Sequence, residues 1–244
     1  VISAELNQPQ VWCKLSTAIF DVYEVDSLRD NTISLELNVE QLLQVLKQYE
    51  KSNSDELAIR LQKKTEPNSS KRSASLGLFF VENVSLMSAS PVHHSYSIPV
   101  RLLKRETDSR ITEPELSNVD VMMRLPSDIN LLFKRIERYK TSEYLKVIGT
   151  NHGSLSLNIN DSKNMNLTIT WNQELEVPQS DGSLDDIKHE ILVRLKDWKL
   201  GTRICEVCKN MVLIISHDEA LVLHCYLDDE ETCEIIYFIN GVNQ

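Results

Sequence analysis

Glycine and proline are scarce in this chain, six and seven in 244 residues, and aromatic residues make up only 6%. That composition excludes collagen-like, Pro-rich and low-complexity chains. No run of eighteen apolar residues occurs, so neither a transmembrane helix nor a membrane partner is expected. No signal peptide is visible. An excess of positive charge is also missing: 26 Lys and Arg stand against 36 Asp and Glu, a formal net charge of -10. This excludes a protein that coats nucleic acid with its whole surface, but not one with a local basic face. The five cysteines (Cys13, Cys205, Cys208, Cys225, Cys233) are odd in number and irregularly spaced. Their simplest reading is reduced, buried thiols in a cytosolic or nuclear protein.

Catalytic signatures are missing as well. There is no GxGxxG, P-loop, HExxH or GxSxG. The chain reads as non-enzymatic, with no catalytic residue, cofactor or metal site to nominate. Cys205 and Cys208 form a CxxC, but zinc needs two more convergent ligands. Cys225 with His224, or His217, could be imagined as those ligands; no second CxxC exists, and structural thiols remain the simpler reading. His93 and His94 are adjacent, so a strand would point them to opposite faces. Asp185 and Asp186, and the run Asp228, Asp229, Glu230, Glu231, read as solvated loop and hairpin charge.

What the chain does have is regular alternation of apolar and polar residues, interrupted by short helical stripes. Val11, Cys13 and Leu15 alternate, as do Ile33, Leu35 and Leu37, and later Leu57, Ile59 and Leu61. This is strand text. Between them Val39, Leu42, Leu43, Leu46 and Tyr49 recur at helical spacing, which predicts an amphipathic helix over Val39 to Ser52. Asn38 is its expected N-cap, with Gln41 three residues later. A second stripe, Ile129, Leu132, Phe133, Ile136 and Tyr139, predicts a helix that Ser127 or Asp128 can cap. A third, short helix begins at Lys196. YLKVIGT, HGSLSLNIND and KNMNLTITW read as one meander, and MVLIIS, ALVLHCYL and TCEIIYFI as another.

The second half thus runs strand, helix, three strands, strand, helix, three strands. The first half carries the later part of that order. The expectation is an α+β protein of two similar antiparallel domains, residues 1–103 and 120–244, joined by a linker over 104–119. The first copy is expected to lack its opening elements, which would leave an open sheet edge.

In that order the chain resembles the sliding-clamp superfamily, and within it the Hus-type subunit of the DNA-damage checkpoint clamp. The strings that carry the resemblance are VWCKL (Val11 to Leu15), TISLELNVEQLLQVLK (Thr32 to Lys47), SYSIPVRLL, LPSDINLLFKRIERYK (Leu125 to Lys140), HGSLSLNI (His152 to Ile159) and ALVLHCYL with IIYFING. The Asn-rich, loop-extended text resembles a fungal member. The resemblance implies a nuclear, non-catalytic subunit of a heterotrimeric 1:1:1 ring with two related subunits. It implies sheets on the outer wall and helices lining a channel around double-stranded DNA. It further implies loading by an ATP-driven clamp loader, checkpoint kinase activation and support of repair.

The charges fit such a channel. Lys134, Arg135, Arg138 and Lys140 lie mostly off the second apolar stripe, against Asp128 and Glu137. Lys196, Lys199 and Arg203 accompany the last helix, against Asp197, and Lys47 and Lys51 the first. Two readings stay open for these cations: ordinary solvation of helix surfaces, or a basic face toward a polyanion that contacts phosphates without reading bases. The alternative function is a β-rich protein-interaction scaffold without direct DNA contact. Strand edges near Met165 to Trp171 and near Leu76 to Val81 are the expected assembly surfaces.

Overall fold

The computed structural model describes residues 8–65, 72–82, 90–139, 142–160, 166–171, 174–178 and 187–242. It is an α+β fold in which every strand pairing among the described residues is antiparallel. The chain divides into two compact units, one of residues 23–112 and one of residues 1–22 with 113–244.

The larger unit contains two sheets. The first has the order β1-β13-β12-β11-β6, built from β1 (Gln10–Lys14), β13 (Glu234–Asn240), β12 (Ala220–Tyr226), β11 (Asn210–Ser216) and β6 (Val121–Leu125). The second has the order β10-β7-β8-β9, built from β10 (Lys188–Arg194), β7 (Tyr144–Thr150), β8 (Leu155–Asn160) and β9 (Asn166–Trp171). Its helices, among the described residues, are α3 (Asn130–Glu137) and α4 (Leu195–Gly201). Alternation decides which side chains enter the core. Leu155, Leu157 and Ile159 on β8 are wholly buried, as are Leu145 and Val147 on β7. They join Val121, Met123, Leu213 and Ile215 from the other sheet, and Phe133 and Trp198 from the helices, in one apolar cluster.

At Gly149, a Cβ would lie 2.1 Å from Met123 Cε and 2.9 Å from Ile215 Cδ1. A side chain at this position would have to displace the buried ends of Met123 and Ile215, which glycine leaves in place.

The smaller unit is one sheet of order β2-β5-β4-β3 with helix α1 (Val39–Lys51). Its strands are β2 (Leu35–Leu37), β3 (Ala58–Thr65), β4 (Arg72–Glu82) and β5 (Val92–Leu102). Its core is small: Val45, Leu78, Phe80 and Ile98, with Leu42, Leu46 and Tyr49 packed against it. Asn38 caps α1 as expected, its Oδ1 accepting from the backbone N–H groups of Glu40 at 2.9 Å and Gln41 at 3.2 Å.

Four of the expected elements differ from the structure. The strand at Val11 belongs to the larger unit, because β1 adds to the free side of β13, with Gln10 opposite Phe238 and Lys14 opposite Glu234. Trp12 packs against a cluster of Ala220, Val222, Ile236 and Phe238 on that sheet. The strand expected from Ile33 covers only Leu35–Leu37, and Ile33 is exposed.

The expected linker holds a short helix, α2 (Arg105–Asp108), stabilised by an ion pair of 2.7 Å from Arg29 to Asp108. Finally, neither Ser127 nor Asp128 caps α3. Ser127–Ile129 form a 3-10 turn that leads straight into the helix, with Ile129 N–H donating to Pro126 O at 3.0 Å. The turn satisfies a backbone donor that a cap would otherwise serve.

Candidate nucleic-acid interface and sheet edges

The apolar stripe of the second helix fixes its orientation. Ile129, Leu132, Phe133 and Ile136 are at most 5% exposed, so the opposite side of α3 faces solvent. There stand Lys134, Arg135 and Arg138, all exposed. Lys140 lies outside the described residues. The cations near the C-terminal end of α3 also complement the helix dipole, which favours positive charge there.

Helix α4 docks on α3 through Trp198, wholly buried, whose ring meets Phe133 edge to face. A 3-10 turn, Thr202–Glu206, follows α4 directly. Asn130 at the start of α3 donates from Nδ2 to Cys205 O in that turn at 3.2 Å. Lys134 Nζ stands 3.8 Å from Glu206 Oε1, a pair exposed on both sides and therefore worth little. Arg203 and Lys196 are exposed.

Lys199 behaves differently from the expectation. It is half-buried, and its Nζ donates to Tyr139 O at 2.5 Å, just past the end of α3. A lysine expected on an open face thus joins the two helices by bonding a terminal carbonyl. The packing also exposes two apolar neighbours of the cations, Leu131 and Leu200, 66% and 53% exposed. Sequence reading passed over them, although both fall off the core stripe. In the smaller unit Lys47 and Lys51 are exposed on α1. The structure therefore gathers Lys134, Arg135, Arg138, Lys196 and Arg203 on two touching helices and the residues that directly follow them, and leaves Lys47 and Lys51 in a separate unit.

The sheet edges divide as clearly. Strand β9 pairs with β8 alone among the described residues, from Leu155 opposite Trp171 to Asn160 opposite Asn166. Leu167, Ile169 and Trp171 pack on the core, and Asn166, Thr168 and Thr170 are exposed. Other edges carry backbone bonds from elsewhere: Val242 N–H donates to Leu192 O on β10, and Arg124 N–H on β6 to Glu176 O, both at 2.8 Å. The edge expected near Leu76 to Val81 is not an edge. Strand β4 lies between β3 and β5, with Leu76 opposite Leu61 on one side and Ile98 on the other. The outer strands of that sheet are β2 and β3.

The remaining candidates separate. His93 is exposed, while His94 is half-buried, stacked on Phe80 at 4.7 Å and bonded through Nε2 to Glu82 Oε2 at 2.8 Å. His224 Nε2 contacts Glu234 Oε2 at 2.7 Å rather than any thiol. Among the described residues no three His, Cys, Asp or Glu side chains converge as a metal site. Asp185 and Asp186 lie outside the described residues. In the Asp228–Glu231 hairpin, Asp228 accepts from the Thr232 N–H at 2.7 Å and hydroxyl at 2.6 Å. Those bonds hold its carboxyl below the usual carboxylate range.

Paired antiparallel sheets with helices packed against them define the class: this is a sliding-clamp fold. A crystal structure of Proliferating Cellular Nuclear Antigen from Entamoeba histolytica superposes with a TM-score of 0.63 at 13% identity, covering 97% of this chain and 81% of that one. The family described as "Hus1-like protein" matches residues 1–243, and the chain belongs to it. It is 28% identical to "Checkpoint protein hus1" of Schizosaccharomyces pombe, over 98% of this chain and 85% of that one. It is 26% identical to "DNA damage checkpoint control protein MEC3" of Eremothecium gossypii, over 96% of this chain and 84% of that one.

Proposed function

We propose that this chain is one subunit of a heterotrimeric checkpoint clamp in the nucleus. It closes with two related subunits into a ring around duplex DNA, is placed there by an ATP-driven loader, and supports checkpoint kinase activation and repair. Membership of the Hus1-like family and the clamp fold support the subunit role. The checkpoint names of its relatives support the pathway.

The single observation that carries DNA contact is the solvent face of α3. In a protein of net charge -10, Lys134, Arg135 and Arg138 are exposed together, while the other side of the same helix is locked in the core. Such a face offers diffuse phosphate contacts. Each is weak, screened by salt and indifferent to sequence, so it holds a ring without pinning it.

The test is salt-dependent retention of the assembled ring on DNA, wild type against K134A/R135A/R138A. Assembly should be intact, and sequence preference absent in both. The triple variant should leave DNA at lower salt. Its slope of log affinity against log salt should be shallower by about 0.9 for each phosphate that is no longer neutralised. Equal retention across the salt range would show that these charges only solvate the helix.

A further inference from the structure

We propose that Lys199 is a positioning residue of the basic face rather than a phosphate contact: by holding the end of α3 it sets where Arg138 stands. This rests on the reading of α3 as the face that meets DNA phosphates.

Helix α4 and the 3-10 turn after it present Lys196, Leu200 and Arg203 to solvent, on successive turns. Lys199 falls at the border of that side, next to Trp198, whose buried ring meets Phe133 of α3. The rotation of α4 that packs Trp198 on α3 thus also turns the Lys199 stem toward α3. The result is a half-buried lysine. An ammonium carries donors and no acceptor, so away from bulk water it needs an oxygen partner. It finds the carbonyl of Tyr139, at 2.5 Å.

That carbonyl lies where the helix gives out. α3 ends at Glu137, Arg138 is its C-cap residue, and the Tyr139 N–H donates back to Ile136 O at 3.1 Å. The start of α3 is tied separately, by Asn130 Nδ2 on Cys205 O at 3.2 Å, and its middle by the ring pair. Lys199 ties the far end, at the residue after Arg138.

Electrostatics gives the same tie a second effect. The unpaired carbonyls at a helix C-terminus carry about half an elementary negative charge, which repels a phosphate. Arg138 has to bring a phosphate to this end of α3. An ammonium on the terminal carbonyl offsets that repulsion within the last turn, while its own charge is committed to a protein oxygen. Lys134 and Arg135 stand a turn earlier, so their contacts depend less on Lys199.

A double-mutant cycle on the assembled ring tests this. Salt-dependent retention on duplex DNA is measured for wild type, R138A, K199M and R138A/K199M. Methionine keeps an unbranched stem and removes the donor and the charge. R138A should make the slope of log affinity against log salt shallower by about 0.9, the value of one phosphate. K199M alone should have a similar effect, and the double variant should be no shallower than R138A. A double variant shallower by about 1.8 would make Lys199 a phosphate contact in its own right and overturn the proposal. A K199M ring with the wild-type slope, beside an R138A ring that is impaired, would also overturn it and leave the reading of the basic face standing. Wild-type retention in R138A would overturn that reading, and this proposal with it. Amide exchange on the folded chain separates loss of the tie from loss of the fold. In K199M the Tyr139 N–H should exchange faster, with the amides of β11 and β12 unchanged. K199Q, shorter and neutral, repeats both measurements should K199M fold poorly. Unchanged exchange at Tyr139 would show that Lys199 does not hold the end of α3, and the proposal would fall.

Discussion

Phe133 of α3 meets Trp198 of α4 edge to face, their ring centroids 5.0 Å apart and their planes at 87°. This contact joins the two helices that carry the larger unit's basic surface, and both rings are almost wholly buried. An edge-to-face pair adds to what burial alone contributes. F133A should therefore destabilise the unit by about 3–5 kcal/mol. K134A/R135A/R138A, on the opposite side of the same helix, should stay within about 0.5 kcal/mol of wild type. Urea unfolding followed by tryptophan fluorescence compares the two. Similar losses in both variants would mean that the outward side chains also hold α3 in place.

Helix α1 has few buried contacts, and Val45 is its one buried residue. Its N-terminus consequently depends on Asn38, whose side chain serves two backbone donors. N38A should cost about 1 kcal/mol. The loss should show locally, as faster amide hydrogen exchange at Glu40 and Gln41, with β11 and β12 unaffected. Uniform acceleration across both units would contradict this local role.

The core pattern was legible because it is local. Leu145 and Val147, or Leu155, Leu157 and Ile159, declare a strand and its buried face within a few residues. The α1 stripe and its Asn38 cap are equally local. Pairing partners are not. Nothing near Trp12 announces that β1 lies against β13, more than two hundred residues away. Nor does the alternation of β4 say whether it lies at the edge or in the middle of its sheet, where it in fact lies. The cations of α3 were legible as outward-facing because the stripe fixes the helix's rotation. Lys199 was not, since its destination, Tyr139 O, belongs to another helix.

Glu219 ties the segment entering the larger unit to the β11–β12 hairpin. Its Oε2 accepts from Ser117 N–H at 2.9 Å and from the Ser216 hydroxyl at 2.7 Å. Hydrogen bonds from Ser117 and Ser216 lower its carboxyl below the ordinary value. A depressed carboxyl stabilises the fold above its unfolded pKa of about 4.3, and that contribution is lost as pH falls through the folded value. E219Q should lower the melting temperature at neutral pH, and the gap to wild type should close in acid. A gap that persists unchanged well below pH ~4 would assign the effect to shape rather than charge.

Strand β9 offers the sharpest test of assembly. An antiparallel edge strand points the N–H and C=O groups of alternate residues outward, where another chain's strand can pair with them. Of two consecutive residues, Thr168 and Ile169, one therefore bonds β8 and the other faces the open side. Proline removes the N–H at its own position and little else on an edge. Of T168P and I169P, one should break a bond to β8 and destabilise the sheet, seen as a lowered unfolding midpoint. The other should keep a near-native midpoint but fail to join the two related subunits of the proposed ring in a co-purification at micromolar concentration. Circular dichroism first identifies which variant is folded, and the mass of the purified complex then reads assembly. If the folded proline variant still assembles to the full heterotrimer, β9 is not the strand that recruits a partner, and the outer strands of the other sheets become the surfaces to test.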